Sequence, residues 1–156
     1  MAEEVTNISL SSKKSFSIDG DLNRIIFLDT SDMNILVRMD EVYPDIEKLA
    51  IEASERMSKA KVEGDAGAEQ IEEMSTILKD IDQKMREKLN YIFASDIADT
   101  CEPTGNMYDI VGGEFRYERI MGALSTLYAN NITAEYKKMQ ERVKKHTAKY
   151  TNKRKK

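Results

Sequence analysis

Apolar residues recur along this chain with two different periods, and the change of period marks where strands give way to helices. Ser15-Phe16-Ser17-Ile18 alternates polar and apolar, Asp19-Gly20-Asp21 interrupts with turn-forming residues, and Arg24-Ile25-Ile26-Phe27-Leu28 follows. Two β-prone runs around an Asp-Gly turn predict a β-hairpin. An isolated two-stranded hairpin is marginal in water, so this one must pack on a helix, gain a third strand or pair with another chain. Ahead of it, residues 1–14 are polar and unpatterned and read as a disordered N-terminus.

From Thr30 the period lengthens. Thr30-Ser31-Asp32 places side-chain oxygens at a helix start, with Ser31 or Thr30 as the N-cap and Met33, Leu36, Val37 and Met39 as the apolar positions after it. This short helix is expected to end near Tyr43, because proline disfavours α geometry in the residue before it. Pro44 then suits the first turn of a second helix carrying Ile46, Leu49, Ala50, Ala53 and Met57. Lys61 to Gly67, with two glycines in four residues, predicts a loop.

Gln70 to Phe93 is the most regular stretch. Its apolar residues Ile71, Met74, Leu78, Ile81, Met85, Leu89 and Ile92 are spaced 3, 4, 3, 4, 4 and 3, with charged residues filling much of the rest. Such a stripe is either the core face of an amphipathic helix or a near-heptad seam that needs a partner helix. Residues 94–113, with Pro103, Gly105, Gly112 and Gly113, read as an irregular segment folded back on the core through Ile97, Met107, Tyr108, Ile110 and Val111. A loop of that length is often functional. Helical spacing resumes at Glu114 and runs through Phe115, Ile120, Leu124, Leu127, Tyr128, Ile132, Tyr136, Met139 and Val143. Asn130-Asn131 is a candidate interruption, and the basic end is expected to fray.

These elements predict a mainly α protein: an N-terminal β-hairpin followed by a small bundle of amphipathic helices, one domain over residues 15–143 with a basic tail at 144–156. The length of 156 residues suits one domain. Charge adds what the pattern alone does not show. The net charge of -4 conceals an asymmetry, because residues 137–156 hold ten bases against one acid, a tail of +9 on a body of −13.

Candidate chemistry is sparse. The chain holds one cysteine and one histidine, too few for an internal disulfide or a zinc site, and no cofactor motif is present. Cys101 sits among Asp99 and Glu102, whose charge makes a thiol a poorer nucleophile, and His146 lies in a basic segment unsuited to a water-excluding site. Asp19-Gly20-Asp21-Leu22-Asn23 opens like a calcium loop but has Arg24 where glycine is needed and Thr30 where a bidentate glutamate belongs. The expectation is a non-enzymatic protein. No apolar run approaches the roughly 20 residues that span a bilayer, and the N-terminus lacks the basic and apolar regions of a secretory signal, so a cytoplasmic location is expected.

Binding is a better fit. The tail cations, Lys144, Lys145, Lys149, Lys153, Arg154, Lys155 and Lys156 foremost, could meet phosphates, an acidic protein surface such as a second copy of this chain, or water alone. Nucleic acid is disfavoured by the acidic remainder and by the lack of stacking aromatics beyond Tyr150. Candidate protein-binding residues are Phe16, Ile18, Ile25 and Phe27 on the hairpin, with Ile71, Met74, Leu78, Ile81, Met85 and Leu89 on the long stripe.

The hairpin from Phe16 to Leu28 (FSIDGDLNRIIFL), the run from Asp29 to Leu36 (DTSDMNIL) and the helix from Glu41 to Leu49 (EVYPDIEKL) follow in direct succession. Together they resemble the N-terminal half of tail assembly chaperones from long-tailed bacteriophages and prophages of Gram-positive hosts. The order after them is similar too: a charged helix ending in Leu89-Asn90-Tyr91-Ile92-Phe93, a loop, then a helix from Phe115 ending in a Lys/Tyr-rich tail (KHTAKY, 145–150). The resemblance spans about residues 15–150 and rests on no catalytic motif. It departs at Ala94–Pro103 (ASDIADTCEP), where many members of that family carry a Gly- and Phe-rich stretch.

The resemblance implies a non-enzymatic protein that self-associates in the host cytoplasm, coats the tape measure protein during tail assembly, helps recruit tail tube protein, and leaves before the virion matures. It implies the short form of a chaperone that many phages also make as a longer, frameshifted chain. Two other classes stay open: a small nucleic-acid-associated protein acting through the basic tail, and a structural component of the virion at the tail or the head–tail joint.

Overall fold

A computed structural model describes residues 3–10, 12–59 and 67–154, with side chains described up to residue 149. The chain forms a β-hairpin, β1 (Lys13–Ile18) and β2 (Asp21–Asp29), then α1 (Asn34–Lys59) and α2 (Ala68–Phe93). After them come α3 (Ala98–Cys101), a second small hairpin of β3 (Ile110–Val111) and β4 (Glu114–Phe115), and the long α4 (Arg116–Arg154). This is the expected mainly α architecture with an N-terminal antiparallel hairpin.

Residues 3–10 are exposed and carry no regular structure, and the first strand begins inside the N-terminal segment, at Lys13. Asp19 (φ 52°) and Gly20 (φ 72°) form the tight turn, both in the left-handed region that a two-residue hairpin loop requires. The ladder runs regularly from Lys13↔Asp29 to Ser17↔Ile25 and then slips, Ile18 pairing with Asp21. Leu22, Asn23 and Arg24 are left over on β2 and bulge out. The bulge frees Arg24 to donate from Nε to the Thr100 carbonyl at 3.1 Å and from Nη2 to that of Cys101 at 2.6 Å. A bulge that re-aims one side chain in this way is a common use of the device.

The helix start is capped one residue later than expected. Asp32, not Ser31 or Thr30, accepts the Asn34 amide on Oδ1 at 2.9 Å. Ser31 instead closes a turn on Asp29, donating its amide (3.0 Å) and hydroxyl (2.6 Å) to Oδ1, and these bonds hold the Asp29 carboxyl below its usual pKa.

The larger correction concerns Pro44, which ends no helix. It lies inside α1, a single helix of 26 residues. An interior proline costs about 3 kcal/mol. Against that, Ile35, Val42, Ile46, Leu49 and Ala53 form one continuous buried stripe, and burying each large aliphatic is worth about 1.5–3 kcal/mol. Breaking the helix would forfeit several of these contacts, so packing prevails over the local preference.

α2 runs antiparallel to α1. Arg56–Asp80 (2.8 Å), Asp45–Lys88 (3.5 Å) and Glu41–Tyr91 Oη (2.6 Å) mark its register. The loop expected at Lys61–Gly67 falls almost wholly outside the described residues; Gly67 itself directly precedes α2, its amide bonded to Gln70 Oε1 at 3.3 Å. At the other end Ala94 takes a left-handed conformation (φ 49°) and closes a Schellman cap, with Ser95 N–H on the Asn90 carbonyl and Ala94 N–H on that of Tyr91. Gly112 (φ 63°) and Gly113 (φ 82°) turn the second hairpin, so α4 starts at Arg116 and Glu114–Phe115 is strand instead of helix.

α4 crosses Asn130-Asn131 without interruption. Asn131 docks the helix on the hairpin, donating to the Thr30 carbonyl at 3.2 Å and accepting from Lys14 Nζ at 2.7 Å. Helix propensity penalises an asparagine by at most about 0.7 kcal/mol, which those two bonds offset. The expected fraying does not shorten the helix, whose backbone is regular through Arg154.

Candidate protein-binding surfaces

The surface left for partners is decided by what the core consumes. Ile81, Met85, Leu89 and Ile92 have no exposed surface and pack with Ile26, Leu28, Ile35 and Ile97 in one cluster. The stripe on α2 is therefore a core face over its C-terminal half. Ile81, Met85 and Leu89, expected as candidate contacts for a partner, are corrected to core residues: a side chain with no surface offers no partner anything. Met74 and Leu78 are half-buried, and Ile71, at 58% exposure, is the position on that stripe that reaches solvent.

Three arginines lock the body around this core. Arg86, buried on α2, donates from Nε to Asp82 (2.9 Å), from Nη1 to Asp99 (2.8 Å) and from Nη2 to the Gly105 carbonyl (2.8 Å). Asp82 in turn accepts the Met107 amide at 2.8 Å. Arg86 and Asp82 thus fix the middle of the 94–113 segment at Asp99, Gly105 and Met107. Asn90 Oδ1 accepts the Ile97 and Ala98 amides, both at 2.9 Å, and Asn106 Nδ2 reaches the Leu78 carbonyl at 3.1 Å. Arg38 donates to the Ile92 carbonyl (2.9 Å) and pairs with Asp32 (2.6 Å), neutralising the C-terminal end of α2. Arg24 does the same for α3. The irregular segment is a structural clasp held by polar side chains.

That clasp also removes the thiol from chemistry. Cys101 is buried, and burial pushes its thiol up to about 11, so it stays protonated at neutral pH. Tyr108, Phe115 and Tyr117 close the clasp as an aromatic cluster with ring centroids 5.3–5.7 Å apart. His146 lies on the exposed part of α4. Among the described residues, no group of three or more His, Cys, Asp or Glu is placed to hold a metal ion, and no helix is long and apolar enough to cross a membrane.

Among the described residues, apolar surface remains open on the hairpin, on α1 and on α4. On the hairpin, Phe16 pairs with Ile26 and faces inward, and Phe16 and Ile18 are half-buried against the core. The opposite face exposes Phe27 (59%) and Ile25 (38%). Met33, just before α1, and Val37, Pro44 and Ile51 on it line the side turned away from α2, all exposed and spaced 4, 7 and 7. On α4, the helix docks through Tyr117, Ile120, Leu124 and Tyr128, and every residue from Thr133 to Lys149 is exposed. Tyr136, Met139 and Val143 continue from Ile132 at spacings of 4, 3 and 4, on a stretch that extends about 30 Å past its last docking contacts at 1.5 Å per residue.

The cations flank that last stripe. Lys137 and Lys144 lie one heptad apart on one side, Arg142 and Lys149 one heptad apart on the other. Lys144, Lys145 and Lys149 are exposed; Lys153 and Arg154 lie on the helical backbone with side chains outside the described residues, and Lys155 and Lys156 lie outside them altogether. Pattern reasoning placed Tyr136, Met139 and Val143 on the helical stripe without naming them as a contact surface, and it missed the outer face of α1. The signal available was the overlap of a heptad-spaced stripe with the basic run, since a stripe flanked by cations on both sides seldom enters a core.

No family model, no curated protein and no solved structure matches this chain.

Proposed function

We propose that this protein is a non-enzymatic assembly chaperone that holds other chains through exposed helical surfaces. The observation that carries the reading is the distal part of α4: seventeen exposed helical residues, 133–149, bearing Tyr136, Met139 and Val143 between rows of cations. A helix with an exposed apolar stripe gains stability by docking on another helix. Met33 and Met139 beside this stripe add side chains that adapt to irregular clients.

The particular function we propose is that of a phage or prophage tail assembly chaperone in the bacterial host cytoplasm, self-associating and binding the tape measure protein and tail tube protein. That assignment rests on the sequence resemblance over residues 15–150. The direct test is light scattering on a sizing column, with the chain alone and with the tape measure protein of the same tail gene cluster. A complex is expected, weakened at least about tenfold by Tyr136→Ala with Val143→Ala. A strict monomer that ignores the client would sink the proposal.

The same exposed cations support a second reading, association with nucleic acid. Affinity measured across a salt series would separate the two: phosphate contacts give a steep slope that disappears with residues 135–156, and a flat one excludes that reading. A structural virion component differs from a chaperone in being retained in mature particles, which mass spectrometry would detect.

A further inference from the structure

Resting on the self-association in that proposal, we infer that the distal part of α4 docks on the outer face of α1 of a second copy of this chain. Three observations select this occupant. The first is sign. Residues 133–149 carry six bases against two acids, so two such helices laid side by side would place like charges together. The outer face of α1 carries Asp40, Glu47 and Glu55 against Lys48, all exposed, around Met33, Val37, Pro44 and Ile51.

The second is period. Tyr136 and Val143 are seven residues apart, and Val37, Pro44 and Ile51 are seven apart twice over, so the stripes match along their lengths as helices packed at a shallow angle require. Asp40 and Glu47 fall between the apolar positions of α1, within reach of Lys137, Arg142 and Lys144 on a helix laid against them. The third is continuity. Met33 begins the α1 stripe and also lines, with Ile132, Tyr136 and Met139, a groove of about 620 Å³ where α4 leaves the body. The two faces of one chain thus meet in a notch, and Tyr128 Oη lies 3.7 Å from Met33 Sδ at its edge of the body. Within one chain the contact goes no further than this notch, because every residue from Thr133 to Lys149 remains exposed. A second copy can carry it further.

Because the contact joins two different faces, it is heterologous, and charge reversal tests it with its own rescue. Light scattering on the full chain is expected to give a mass above that of one chain, falling as salt rises from about 0.05 M to about 0.5 M, as screening of exposed charges requires. Arg142→Glu with Lys144→Glu, or Asp40→Lys with Glu47→Lys, should each weaken association at least about tenfold. All four changes in one chain, or an equimolar mixture of the two doubly substituted chains, should restore it. The sites are exposed, and unchanged helical circular dichroism would verify folding. Association that survives either reversal, or fails to return on combination, overturns the α4–α1 contact and leaves self-association standing. A chain that is monomeric without any substitution overturns both, while client binding is read separately.

Discussion

The two ends of the helical scaffold spend their apolar residues in opposite ways. The C-terminal half of α2 buries Ile81, Met85, Leu89 and Ile92 completely, and the polar groups beside them, Asp82, Arg86 and Asn90, are all engaged in holding the clasp at 94–113. The distal part of α4 has the same helical spacing and leaves Tyr136, Met139 and Val143 about half exposed. Spacing alone does not distinguish them. What differs is whether another described part of the chain packs on the stripe, and over residues 133–149 none buries it.

The comparison is open to attack from its strongest side first. Replacing Arg86 with alanine should leave Asp82 and the Gly105 carbonyl without their partner and destabilise the fold by about 4 kcal/mol, read by urea unfolding. A loss below about 1 kcal/mol would mean the clasp does not depend on that pair. Leu89→Ala should cost about 3 kcal/mol by the same measurement, the cost of emptying a fully enclosed site. A surface-sized loss there would erase the contrast with α4.

Smaller effects sharpen the picture at its edges. Ala94→Gly relieves a left-handed alanine at the α2 cap and should stabilise the protein by about 1 kcal/mol, a rise in melting temperature of a few degrees. Asp29 and Asp80 have carboxyls held below 3.8, the first by its bonds to Ser31 and the second by Arg56 and Lys84. A carboxyl lowered in the folded state contributes stability above its unfolded value that is lost as pH falls through the folded one. Stability should therefore decline below about pH 4, and less steeply in Asp29→Asn with Asp80→Asn, by denaturant titration across pH. At the far end of the scale, ending the chain after Ala134 should shift the unfolding free energy of the body by less than about 0.5 kcal/mol. If that truncation destabilises the body appreciably, distal α4 belongs to the core and the proposed surface does not exist.

How much of this could be read from residue order depends on the range of the interactions involved. The hairpin was legible because its signals are local: alternation, then Asp19-Gly20, which tolerates the positive φ angles of the turn. The extent of α2 was legible for the same reason, its C-terminal end at Phe93 falling where the spacing stops. Pro44 misled because its effect on neighbouring backbone is local, whereas the stripe from Ile35 to Ala53 that overrides it gains its energy against α2, at a distance in sequence. Asn131 misled in the same manner, since its partners Thr30 and Lys14 lie more than a hundred residues away. At the candidate surface, sequence identified Ile25, Phe27 and Ile71 as available and wrongly added Ile81, Met85 and Leu89, because a period tells which residues share a face and not what that face meets.

The sequence by itself determined the class of fold, the acidic body with its basic end, and the poverty of catalytic groups, because these follow from composition and short-range patterns that every chain conformation shares. Tertiary structure alone decided which stripes are core and which are surface, that residues 94–113 form a clasp fastened by Arg86 and Asp82, and that α4 stays exposed from Thr133 to Lys149. Burial is a property of pairs of segments, and only folding selects the pairs.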